Sequence, residues 1–162
     1  MAVSPYRDTY KTTEECAVAN TNTGALVLSY MSYTLDTRVE GSFDDVVERT
    51  EDALAEEGFG VLTDIDVRAT MAEKLDADFR KYRILGACNP PLAHEGLQAE
   101  PGLGALLPCN VVVYETDEGD VLVRAVDPET LLESVDNDDL DEVASEVRER
   151  FERVLDSLPE AA

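Results

Sequence analysis

Lysine is nearly missing from this 162-residue chain, which has it only at Lys11, Lys74 and Lys81. Most of the 13 basic side chains are therefore arginine, set against 36 acidic ones, and the formal net charge is −23. Such a surface makes nucleic acid a poor partner, since affinity for phosphate comes from Lys and Arg. It fits either a basic partner or a solvated surface adapted to high salt, where screening suppresses self-repulsion. The acids spread along the chain instead of forming one block, which favours the high-salt reading. No apolar run is long enough to span a membrane, and the opening MAVSPYRDTYKTTEEC has no secretory pattern, so a cytoplasmic protein is expected. Three cysteines, an odd number without framework spacing, argue against a disulfide scaffold.

Motifs are equally sparse. There is no C-x-x-C and no H-E-x-x-H. Gly102-Leu103-Gly104 lacks the Lys-Ser/Thr of a phosphate loop and precedes a strand pattern. No cofactor is implied.

What the chain does contain is one anomalous stretch. Ile84 to Tyr114 holds only two charges in 31 residues, Glu95 and Glu100. A run this uncharged is expected to be buried or covered by a partner. It also holds the only histidine, His94, and two Cys-Asn pairs, Cys88-Asn89 and Cys109-Asn110.

The rest of the pattern reads in order. Residues 1–23 are polar and aperiodic, an extension that includes Cys16. Ala25 to Val39 suits a long strand. Ser42 then resembles a helix cap, and Phe43, Val46, Val47, Thr50 and Leu54 form one helical stripe that Gly58 stops. Phe59 to Ile65 is a second strand, and Asp66 caps a short helix to Leu75. Tyr82 to Cys88 is a third strand, and Asn89-Pro90-Pro91 is a strong helix start. After a loop at residues 101–104, Leu107 to Glu115 and Val121 to Val126 form a hairpin. Asp127-Pro128 ends the sheet, a short helical turn follows over Glu129 to Glu133, and a long amphipathic helix runs from about Asp138 to Leu158. The sum is a single two-layer α+β domain over residues 24–160, with helices packed on a roughly five-stranded mixed sheet.

The blocks GFGVLTDIDV (Gly58 to Val67), KYRILGACNPPLAHEGL (Lys81 to Leu97), LLPCNVVVYE (Leu106 to Glu115) and Asp127-Pro128, in that order, resemble the bacterial and archaeal family called domain of unknown function 302. This chain looks like an acidic, halophile-like member. The resemblance implies a compact α+β domain, often a homodimer, with no family catalytic residue to carry over.

Three functional readings stay open. The first is a binding domain that takes a small ligand or protein partner near Cys88, Asn89, His94, Cys109 and Asn110. The second is a thiol enzyme or sulfur relay. Cys88 precedes a helix N-terminus, whose free N–H groups and dipole favour a thiolate, with Cys109 as its partner. The third is a purely structural dimer in which the thiols are small core hydrophobes and Asn89 only caps a helix. A metal held by Cys88, His94 and Cys109 is a weaker variant, lacking a fourth ligand and ordinary spacing.

Overall fold

The computed structural model describes residues 33–160. The polar extension, Cys16 and the first part of the long strand expected from Ala25 lie outside them. Five strands, β1 (Thr34–Val39), β2 (Gly60–Asp66), β3 (Tyr82–Cys88), β4 (Cys109–Glu115) and β5 (Val121–Val126), form one sheet in the order β1-β5-β4-β3-β2. Every ladder is antiparallel. The five strands were expected; the mixed pairing is corrected. Strands separated by helices usually become parallel neighbours. Here the helix α1 (Phe43–Glu56) carries the chain from one sheet edge to the other, so β1 and β2 never meet. The other two helical connections, α2 (Val67–Leu75) and α3 (Pro90–Ala99), each return the chain antiparallel beside the strand it left.

One face of the sheet is dry. Leu85, Ala87, Val111, Val113, Val121, Val123 and Ala125 alternate along their strands and pack against α1 and the last helix, α5 (Asp141–Ser157). The α1 stripe read from the sequence is buried as expected: Phe43, Val46, Val47, Thr50 and Leu54, joined by Ala53. Phe59, just after α1, stacks on Phe151 of α5 with ring centroids 4.7 Å apart. Arg150 ties the same corner by donating from Nη1 to the carbonyl of Glu57 at 2.9 Å.

The caps fall where the sequence placed them. Ser42 Oγ accepts the Asp45 N–H at 3.3 Å, and Asp66 Oδ1 accepts the Ala69 N–H at 2.8 Å. A further cap was not expected: Asp127, read only as the end of the sheet, caps the short α4 (Pro128–Leu132) by accepting the Glu129 N–H on Oδ1 at 3.1 Å. Several boundaries shift by one or two residues, β4 starting at Cys109 instead of Leu107, and two connections carry 3-10 turns. The loop after α3 is a 3-10 turn, Pro101–Leu106, which folds Leu103 into the interior, and a 3-10 turn at Asp138–Leu140 precedes α5. The uncharged stretch of the sequence is thus β3, α3, the 3-10 turn and β4, and of its two carboxylates Glu100 is spent capping the turn at Gly102 N–H, 2.8 Å away.

Candidate functional site

At the end of the sheet where β3 stops and β4 begins, the dry layer does not close completely. A cavity of about 40 Å³ remains between the strand ends, α3, the 3-10 turn, α4 and α5. Its walls are nearly all hydrocarbon, among them Phe59, Leu103, Leu131 and Val147. The exceptions are Cys88, Asn89 and Cys109.

Each of these three is positioned by a local rule. Cys88 is the last residue of β3 and half-buried. Asn89 follows it as the N-cap of α3: its Oδ1 accepts the Leu92 N–H at 3.3 Å, while its Nδ2 donates to the Gly58 carbonyl at 3.1 Å. The buried amide therefore joins the end of α1 to the start of α3, with both its acceptor and its donor engaged. Gly58 sits at φ +81°, and a Cβ there would stand 3.1 Å from Asn89 Nδ2, so glycine serves both the α1 stop and this bond. Cys109 opens β4 opposite Ala87, on the dry face. Close approach of the strands is set one residue away. A Cβ on Gly86 would fall 2.3 Å from Thr63 Oγ1 and 2.7 Å from Pro108 Cγ, which only glycine allows.

Two expected members of the site are elsewhere. Side chains alternate along a strand, so with Cys109 turned to the cavity Asn110 turns to the opposite face, where it is exposed. His94 lies in α3 just past Leu92 and Ala93, which line the cavity, and the helical rotation carries it to solvent. Its ring lies 3.3 Å from Gln98 Nε2 instead. Among the described residues no three His, Cys, Asp or Glu side chains gather as a metal would require, so Cys88, His94 and Cys109 do not form a ligand set.

The electrostatics also run against a thiolate. Burial pushes the Cys88 thiol above its ordinary value. Cys109 is pushed up to about 11, first by burial and then by the neighbouring Cys88. The dipole argument for Cys88 gives way to desolvation, because the mouth of the cavity offers hydrocarbon and engaged amides in place of a cation. Near neutral pH both sulfurs are protonated thiols, soft and weakly polar.

Sequence reasoning missed how much of the wall comes from outside the Cys-Asn stretch. Pro128, Leu131 and Leu132 of α4 and Val143, Ala144 and Val147 of α5 close the far side. Asp127 holds that side in place: it caps α4, and its carboxylate lies 3.4 Å from Arg148 Nε of α5. The Asp127-Pro128 pair was the available signal, read only as the end of the sheet.

Among the described residues no helix is long and apolar enough to cross a membrane. No curated protein matches the chain. A crystal structure of an uncharacterized conserved protein, DUF302, from Bacillus stearothermophilus is 31% identical, covers 76% of this chain and 96% of its own, and superimposes with a TM-score of 0.72. The family model for DUF302, domain of unknown function, matches residues 33–158. With most of the chain matched in sequence and its fold shared with that relative, the protein belongs to the DUF302 family.

Proposed function

We propose that this domain binds a small, uncharged, largely apolar ligand in the cavity at the β3–β4 end of the sheet. The observation that carries the reading is the cavity itself: an unfilled hydrocarbon pocket on which Cys88 and Cys109 converge. Native interiors leave few voids larger than a water molecule, and an apolar void gives water no partners. The neutral thiols provide polarizable surface for a ligand at no charge cost. With about 40 Å³ available, the resting pocket suits only a few heavy atoms. A larger ligand enters by displacing α4, the five-residue wall. Free thiols suit the reducing interior of a cell, in keeping with a cytoplasmic protein of high-salt habit.

Xenon, a probe for dry apolar cavities, tests this. In the isotopically labelled protein, xenon pressure shifts the Cys88, Cys109 and Leu131 resonances in a saturable way. Ala144→Leu, which fills the pocket from a buried wall position, removes the response while the folded spectrum persists. Uniform, non-saturating shifts, or saturable ones unaffected by the filling variant, refute the pocket as a binding site.

A further inference from the structure

Between the end of β5 and the start of α5 the chain has little of its own to hold it. Helix α4 is five residues long, too short to be stable without packing. The backbone bonds around it close within the segment. Leu131 N–H donates to the Asp127 carbonyl at 3.0 Å, Glu133 N–H to the Glu129 carbonyl at 3.0 Å, and Val135 N–H to the Leu132 carbonyl at 2.8 Å. Its two ends are fixed to the body: Asp127 N–H donates to the Tyr33 carbonyl at 2.9 Å, and Asn137 Nδ2 to the Ala99 carbonyl at 3.4 Å. Residues 128–136 thus span two anchors as a flap.

Beneath the flap lies the cavity. Pro128, Leu131 and Leu132 line it, and wall atoms that face a void forgo the dispersion contacts of a filled core. The apolar side of α4 is therefore held less firmly than an equal area of the dry sheet face.

Among the described residues the polar link from α5 to the flap is Arg148. Its Nε lies 3.4 Å from Asp127 Oδ1 and 3.6 Å from Glu129 Oε2, while its Nη1 lies 2.9 Å from Glu152 Oε1, one turn along α5. The closest contact is on its own helix, and the two contacts to the flap are longer. One guanidinium is divided among three carboxylates, so what Glu152 takes α4 loses.

We propose that α4 opens as a flap over the cavity and that Arg148 is its latch. The latch is closed while the guanidinium is shared with Asp127 and Glu129, and released when it turns to Glu152 alone. Neither Arg148 nor Glu152 lines the cavity, so both act on the site by positioning α4. The purpose of the flap rests on the cavity being a ligand site, but its motion is read without a ligand.

Native-state hydrogen exchange of the full chain under reducing conditions tests the latch. Arg148→Met keeps an apolar stem and removes the charge, while Asp127→Asn keeps an oxygen for the α4 cap. Each speeds exchange of the Leu131, Glu133 and Val135 amides about threefold. The Val113 and Phe151 amides, deep in the core, keep their wild-type rates. Glu152→Gln does the opposite: it releases the guanidinium to α4 and slows the same flap amides about twofold. A purely structural ion pair on α5 would leave them unchanged or speed them.

Benzene, which needs a cavity of roughly 150 Å³, reads the site itself, because it enters only when α4 is displaced. Judged by saturable shifts of the Cys109 resonances, it binds Arg148→Met about threefold more tightly than wild type, since the open state is more populated. Xenon, which fits the closed cavity, binds both alike. Flap exchange that ignores Arg148→Met, or that Glu152→Gln speeds or leaves unchanged, overturns the latch. Exchange that follows the latch in a protein that takes up neither xenon nor benzene upholds the flap and refutes the cavity as a binding site.

Discussion

Helices α1 and α2 both begin behind a side-chain cap, Ser42 for the first and Asp66 for the second, and both follow an extended segment. Beyond the cap they part. In α1 the apolar residues recur every three or four positions and six residues are buried, with Val46 and Leu54 fully enclosed. In α2, Val67, Met71 and Leu75 share one side, but Arg68 and Lys74 flank it, Ala69 and Ala72 fall elsewhere, and no residue is buried. Local chemistry decides where a helix starts. Only a stripe that another layer can cover gives it tertiary stability, and a nine-residue helix without one is marginal in water. The protein therefore divides into a cooperative body, with α1 and α5 on the dry face of the sheet, and a β2–α2 corner with little packing of its own.

The widest gap between the two should appear on truncation. Leu54→Ala removes a side chain of 0% exposure and is expected to cost about 2–5 kcal/mol in urea unfolding. Leu75→Ala removes one that is 69% exposed. It should change stability by about 0.5 kcal/mol or less. A cost for Leu75→Ala near that of Leu54→Ala would erase the distinction between body and corner.

The next effect belongs to the body alone. Cys109 ionises at about 11 in the folded chain against an ordinary 9.0, so between those values the folded state holds a proton that the unfolded state has released. Its contribution is fully present below pH 9 and is lost as pH rises toward 11. The loss is on the order of 2 kcal/mol. Comparing wild type with Cys109→Ala across that window isolates the term from other groups titrating there. A wild-type slope no steeper than the variant's would show that the Cys109 site is wetter than its surroundings imply.

The same contrast explains what could be read from the sequence. Caps and periodic stripes are local, so Ser42, Asp66, Asn89 and the α1 and α5 faces were legible in advance. The pairing directions were not, because nothing in the alternation of strands and helices says that α1 crosses the whole sheet. Half of the candidate site was legible on similar grounds. Cys88 and Cys109 converge because one ends β3 and the other begins β4 at the same end of the sheet, and Asn89 follows Cys88 as the α3 cap. Asn110 and His94 were grouped with them by nearness in sequence, and strand alternation and helical rotation separate them. The α4 and α5 walls stayed hidden because their contact with β3 and β4 exists only after the chain has folded, and Asp127 looks in sequence like a terminator instead of the clamp between them.

The smallest effect is also the one that separates capping from packing most directly. Ser42→Ala removes the side-chain acceptor at the start of α1 and should cost about 1 kcal/mol of global stability, since α1 melts only with the core it covers. Asp66→Ala removes the equivalent acceptor from α2. If α2 already opens locally below the global transition, its cap stabilises only that local equilibrium. Urea unfolding of Asp66→Ala should then match wild type within about 0.5 kcal/mol, while the α2 amides exchange with solvent several-fold faster. Equal losses of global stability in Ser42→Ala and Asp66→Ala would mean that α2 unfolds with the core after all, and that its exposure is not a measure of its independence.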